Sequence, residues 1–376
     1  MNSNPQSDNP SSDNPPSNNP ESEGIEGLGK NEDSHWADYP IDTMMIRHEN
    51  RTVHDVLRRI DKGQFIMDPD FQRDFIWPED KQSKLIESVL MRIPLPVFYL
   101  GEDQEGKMVV VDGLQRLSTF QRFVNNELRL KLPHPSKLNK KCFDDLSPKL
   151  QNRIEDCNLI LYVLDDKVPD RARLDIFERV NGGVPLTRQQ MRNCLYLGQA
   201  TRFLKEEAGT EIFIEATGGS LNRKTMRDRE FVNRFCAFRL LTREEEYKGD
   251  MDDFLAKALK KMNQLEKGRL EGLSKAFRTG LANNLMVFGE HAFRKHTKWQ
   301  TRRSVLNASL WDVMSTGLSQ YPEHRVEERS AALRNAFFRL MKNDEFIDSI
   351  TYGTSDIKKV RHRFLAAREM FQRVFR

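Results

Sequence analysis

The 376-residue chain carries a formal charge of +4, is 38% hydrophobic and 31% charged, and holds four cysteines. It has no run of about 18 apolar residues, which excludes a transmembrane helix, and no basic, apolar and small-residue succession of a secretory signal at its start. Cys142, Cys157, Cys194 and Cys236 are too widely spaced for a C-x-x-C zinc ribbon or a disulfide scaffold, so buried thiols in a cytoplasmic protein are expected.

Residues 1–35 hold seven Asn, seven Ser, five Pro and seven acidic side chains against one basic residue, Lys30. Such a segment buries too little apolar surface to offset its ordering entropy, and a disordered acidic tail is expected. Its charge of −6 leaves +10 on the remaining 341 residues. That length exceeds the roughly 250–300 residues that one core serves, so two domains are expected, at 36–200 and 201–376.

In the first of these, residues 44–48 read as a strand and 52–61 as a helix with Thr52 as its cap. Pro78 opens a helix whose Leu85, Ile86, Val89, Leu90 and Ile93 recur at helical spacing, and Pro94 ends it. Residues 97–100 and 108–111 follow as strands around a polar turn. A helix then spans about 113–125, with Leu114, Leu117, Phe120 and Val124 facing inward. Residues 158–164 read as a strand and 170–180 as a helix whose core side is Leu174, Phe177 and Val180. This alternation predicts a mixed α/β domain. Past about residue 197 the strand signals fade, and helices are expected at 203–207, 229–241, 252–262, 270–290, 304–318, 327–342 and 356–375. The predicted class is α+β, a mixed α/β domain followed by an all-α helical bundle.

Three stretches carry chemistry. In the first, Val109, Val110 and Val111 run into Asp112 and Gly113 and then a helix, which aims unpaired N–H groups and a positive dipole end at the turn. Gln115, Arg116, Ser118 and Thr119 lie off the apolar stripe and are free to face a ligand. Asp112 suits either a helix cap or a partner of a divalent cation that bridges to phosphate. In the second, Phe71, Gln72, Arg73 and Trp77 lie between Pro69 and Pro78, in an extended segment with amide, guanidinium and aromatic groups. The third has Asn181 and Gly182 suited to a left-handed helix end. Thr187 and Gln190 there make a capping box. Arg188, Gln189 and Arg192 follow it. Each stretch also has a plain structural reading, as a cap, an anchored loop or a locally paired arginine.

Together these stretches resemble the family typified by the N-terminal domain of GmrSD restriction endonucleases, related to the ParB/sulfiredoxin-like superfamily. The matched pieces are Phe71, Gln72 and Arg73 with Trp77; Leu85, Ile86, Glu87 and Ser88; Ile93 to Pro96; the run from Asp112 to Thr119; and Phe177 to Asn181 with Leu186 to Arg192. They agree in order and spacing over roughly residues 45–200. Leu114 stands where the family has the first Gln of D-G-Q-Q-R, and Gln190 where an acid is common. The resemblance implies a ParB-like fold with a pocket for a nucleoside triphosphate and Mg2+. Asp112, Gln115 and Arg116 are its catalytic candidates, with Asp112 also the metal ligand. Gln72, Arg73, Gly113, Ser118, Thr119, Asn181 and Arg192 are its nucleotide-binding candidates. It further implies work on DNA in bacterial restriction or phage defence, beside a separate nuclease or modification subunit. No HNH nuclease pattern accompanies it, and His291 and His296 read as surface residues at a helix end.

From residue 294 to 376 there are 17 Lys plus Arg against nine Asp plus Glu, a net of +8 on 83 residues. Arg302, Arg303, Lys358, Arg361 and Arg368 are candidate DNA contacts on basic helices; a solvated bundle surface is the plain alternative. Two further readings stand beside the NTPase: a non-enzymatic DNA-binding or assembly protein with a vestigial pocket, and, behind it, a ParB-like nuclease, which needs an acidic metal cluster.

Overall fold

The computed structural model describes residues 24–28, 46–67, 77–103, 105–132, 134, 136–165, 167–168, 170–180, 187–241 and 246–376. The elements run β1 (Ile25–Glu26), β2 (Ile46–Thr52), α1 (Val53–Asp61), β3 (Phe65–Ile66), α2 (Glu79–Leu90), β4 (Phe98–Glu102), β5 (Met108–Asp112), α3 (Leu114–Val124), α4 (Pro148–Glu155), β6 (Asn158–Leu164), α5 (Asp170–Val180) and α6 (Arg188–Leu195). The helical body follows with α7 (Gln199–Ala208), α8 (Glu211–Thr217), α9 (Arg227–Leu240), α10 (Met251–Asn263), α11 (Lys267–Phe288), β7 (Leu306–Asn307), α12 (Ala308–Leu318), α13 (Glu323–Glu328), α14 (Ser330–Leu340), α15 (Asp344–Thr351) and α16 (Ile357–Val374). The class is α+β: a small sheet, then helices.

Five strands form one mixed sheet in the order β2-β6-β4-β5-β3. β2 and β6 are antiparallel from Ile46 opposite Leu164 to Thr52 opposite Asn158. β6 and β4 are parallel; β4 and β5 are antiparallel, with a register shift between Tyr99 and Leu100. The period of two puts Leu159, Leu161 and Val163 on one face of β6, joined by Phe98, Leu100 and Val110. The amphipathic helices α1, α2 and α3 close that face with Val53, Val56, Ile86, Val89, Leu117 and Phe120. Each such side chain contributes about 1.5–3 kcal/mol on burial.

The other face is divided. Val111 and Leu164 lie under α5 and α6, packed with Leu174, Phe177, Met191 and Leu195. His48 and Ile160 stay exposed. Through that packing α5 and α6 belong to the core of the helical body, which centres on Trp311, Phe231, Phe235 and Phe277. The indole of Trp311 donates to the Phe231 carbonyl at 2.8 Å. Beside it Asp312, fully buried, accepts from Arg234 at 2.8 and 2.5 Å and from Arg363 at 3.3 Å.

Several local expectations meet their elements. Thr52 caps α1 by accepting from Asp55 N, and the capping box of Thr187 and Gln190 is formed. Cys142, Cys194 and Cys236 are buried free thiols, and Cys157 is half-buried. No helix among the described residues is long and apolar enough to cross a membrane.

Other expectations need correction. Residues 24–28, read as part of a disordered tail, are docked: β1 pairs in parallel with β7, Ile25 opposite Leu306 and Glu26 opposite Asn307. The Gly27 carbonyl there accepts from Ser309 and Thr354. Window composition hid the two apolar residues, Ile25 and Leu28, that pack against the large core. The rest of the tail lies outside the described residues. Helices α4, α8 and α15 were missed because each is only seven or eight residues long. The single helix expected at 327–342 is two, α13 and α14. His296 is buried, not a surface residue. The chain turns back after α11 at Gly289, and the imidazole stacks on His291 at 4.9 Å and on Phe337 at 5.0 Å.

Candidate functional site

The β5–α3 junction is built around one ring. Gly113 caps α3 at φ 99°, in the left-handed region, and a Cβ there would lie 2.1 Å from Phe98 Cδ1. Phe98 is fully buried beneath this turn. Glycine is therefore demanded twice, by the backbone and by the ring.

Arg116 lies on the same ring, its guanidinium carbon 4.1 Å from the centroid. It donates to the carbonyl of Pro96, to the Val97 carbonyl at 3.0 Å and to Asp112 Oδ2 at 2.9 Å. Its side chain is 9% exposed, and burial pushes the guanidinium below its usual range while Asp112 pulls the other way. Arg116 and Thr119 are turned inward, which corrects the expectation that both lie free off the apolar stripe. Thr119 donates to the Gln115 carbonyl at 2.7 Å. The cause is the chain just before β4: its carbonyls lack ladder partners and require a donor.

Asp112 is different. Its side chain is 33% exposed, with Oδ2 held by Arg116. Oδ1 accepts no hydrogen bond from the described residues. Gln115 accepts from the Trp77 N–H at 2.9 Å through Oε1, which leaves its amide nitrogen available. The Ser118 hydroxyl is buried with no partner among the described residues. So Asp112, Gly113, Gln115 and Ser118 gather at the start of α3, and Trp77 is tied to them through Gln115. Gln72, Arg73 and Asn181 lie outside the described residues.

Arg192 is placed elsewhere. It is 1% exposed, donates through Nε to Gln189 at 3.0 Å and pairs with Asp252 of α10. Arg188 joins it, bridging Asp175 at 2.7 Å and Asp252 at 3.4 Å. This cluster clamps α6 to the helical body.

Sequence reasoning missed a row of rings on the open sheet face. His48 opposes Tyr162, and Tyr162 opposes Tyr99, with centroids 5.6 Å apart in both pairs. Tyr99 in turn stands opposite Asp112 in the β4–β5 ladder. The signal was the alternation in residues 158–164, where Ile160 and Tyr162 fall on the face opposite Leu159 and Leu161.

Residues 53–197 match the family model described as the GmrSD restriction endonuclease N-terminal domain. The match covers less than half of the chain and marks this segment as similar to that domain. No curated protein and no solved structure gives a significant match. The matched stretch begins at the first residue of α1 and ends just past α6, so it includes the β5–α3 junction and Arg192 but not Asp252. The similarity points to a context of restriction and phage defence. Among the described residues, no group of three or more His, Cys, Asp or Glu is arranged to hold a metal ion.

The basic candidates outside this domain are mixed in placement. Arg302, Lys358 and Arg361 are exposed, and Arg303 and Arg368 are half-buried. Two other cations of the basic end, Arg294 and Arg363, are wholly inside. The net charge of that end therefore overstates its surface.

Proposed function

We propose that the GmrSD N-terminal domain binds a nucleoside triphosphate with Mg2+ at the β5–α3 junction and hydrolyses it, while the helical body contacts DNA and a separate subunit supplies any cutting or modification. The observation that carries this reading is the Asp112 carboxylate: one oxygen fixed by Arg116, the other without a hydrogen bond from the described residues, at the mouth of a helix N-terminus. Asp112 is then the metal ligand, and the first N–H groups of α3 with the Gln115 amide face phosphate. Ser118 supplies a hydroxyl. Arg116 acts as a positioning residue that aims Asp112, and Arg192 as a clamp behind the site. Gln72, Arg73 and Asn181 keep the roles that the family pattern implies, and Thr119, turned inward, braces the first turns of α3. Tyr99, Tyr162 and His48 offer ring faces to a base beside Asp112.

Titration calorimetry with each of the four NTPs and Mg2+, then phosphate release with and without DNA, tests this. We expect Mg2+-dependent binding that Asp112→Asn weakens at least tenfold. No binding by the wild type, or equal binding by Asp112→Asn, would overturn it. The second reading, a DNA-binding or assembly protein with a vestigial pocket, is favoured by the inward Arg116 and by Leu114, which packs in the sheet core. It predicts DNA affinity that falls steeply with salt and ignores every nucleotide.

A further inference from the structure

Residues 295–304 form a closed loop with a built stem. Arg294 and Leu306 make an antiparallel bridge, and Asn307 N donates to the Phe293 carbonyl at 3.0 Å. Ser304 Oγ donates to the Lys295 carbonyl at 2.7 Å. Arg294, 1% exposed, donates to the Ser304 carbonyl, to Thr217 O at 2.9 Å and to Ser220 Oγ at 3.1 Å. Inside the loop Gln300 Nε2 reaches Arg302 O at 2.8 Å and Ser304 Oγ at 2.7 Å. A loop tied in this way holds one shape.

What it holds out is Trp299, 83% exposed, whereas Trp311 in the same body is fully buried. The Lys298 ammonium lies 5.0 Å from the centre of the Trp299 ring. From residue 294 to 305 there are five Lys or Arg and no Asp or Glu. An indole left in water forgoes the gain of burial, and here it stands on an ordered loop that carries cations and no carboxylate of its own. An exposed aromatic ring beside cations is the chemistry that recognises an unstacked nucleobase and its phosphates. Fully stacked duplex offers no base face to it.

We infer that Trp299 is a base-stacking side chain, on which an unpaired DNA base lies while Lys298 and Arg302 meet the adjoining phosphates. This deepens the DNA part of the proposed function and does not depend on NTP binding. The loop also connects to the rest of the basic end: Lys295 Nζ reaches Thr351 Oγ1 at 3.2 Å, and Lys359 Nζ reaches the Tyr352 carbonyl at 2.9 Å. The α15–α16 connection thus joins the loop to the first turn of α16, where Lys358 lies.

The test is fluorescence anisotropy of the full chain with labelled 20-nucleotide single strands, blunt duplex and duplex with a central bulge. Trp299→Ala should weaken single-strand and bulged binding about five- to a hundredfold, leave blunt duplex within about twofold, and keep the wild-type salt slope. Trp299→Phe should recover most of the loss, and Arg302→Gln should lower the salt slope by about one. Thermal melting should be unchanged in all three, since these side chains are in solvent. Wild-type affinity in Trp299→Ala, or an equal loss on every DNA, overturns the inference. If the wild type binds no DNA, the DNA reading itself fails. Trp299-dependent binding to phosphatidylserine vesicles as tight as to DNA overturns the inference in favour of a lipid surface.

Discussion

The Phe98 ring supports Arg116 and at the same time occupies the space that a side chain at residue 113 would need. The strand, the turn glycine and the first turn of α3 are thus locked through one aromatic side chain. Gly113→Ala must strain φ and displace that ring together. We expect a loss of about 2–4 kcal/mol in denaturant unfolding; a midpoint within experimental error of wild type would refute the account.

Arg116→Ala removes donors from the Pro96 and Val97 carbonyls and frees Asp112. Charge-assisted hydrogen bonds of this kind contribute roughly 1.5–3 kcal/mol each. The variant should therefore melt well below wild type, and any loss of nucleotide binding in it must be compared with Asp112→Asn. Asp112→Asn keeps the shape and should melt within a few degrees of wild type.

If the ring row receives a base, Tyr99→Ala should weaken NTP binding about five- to a hundredfold while leaving the affinity for Mg2+-triphosphate unchanged. Equal losses for both ligands would place the base elsewhere.

Asp228, at the start of α9, is 7% exposed, and burial raises its carboxyl to about 6 against an accepted hydrogen bond from Arg229 N. A carboxyl raised above its unfolded value favours the fold below about pH 4 and loses that contribution as pH rises through about 6. Asp228→Asn imitates the protonated form. It should raise stability at pH 7.5 by about 2–3 kcal/mol, and the difference from wild type should vanish near pH 4. A constant difference across that range would exclude titration as its cause.

Asp312 balances two buried guanidiniums. Burial and the neighbouring Arg234 lower the Arg363 guanidinium to about 10 despite Asp312, which pulls it upward. Asp312→Ala leaves both cations without that carboxylate and should cost about 3–5 kcal/mol. Replacing Arg363 by Met in the same background should recover part of it.

What could be read from the residues and what could not divide on a physical line. The strand-turn-helix at residues 109–119, the Thr52 cap and the Thr187 box all depend on contacts within four residues, and local spacing exposes them. Arg116 is misjudged by spacing because its partners, Pro96 and Val97, lie about 20 residues earlier. Arg192 resembles a cleft residue until Asp252, 60 residues on, meets it. Tyr99 and Tyr162 become neighbours only through the parallel β4–β6 register. Ile25 and Leu28 are lost in a polar average, although β7 had a place for them.

The docking of β1 on β7 fixes where the N-terminal segment joins the body. Glu26 Oε1 takes the Lys295 ammonium, at the stem of the Trp299 loop. That pairing removes one of the loop's cations before any ligand arrives. A polyanion that reaches the loop therefore meets Lys298 and Arg302 and finds Lys295 already neutralised by a carboxylate of the same chain.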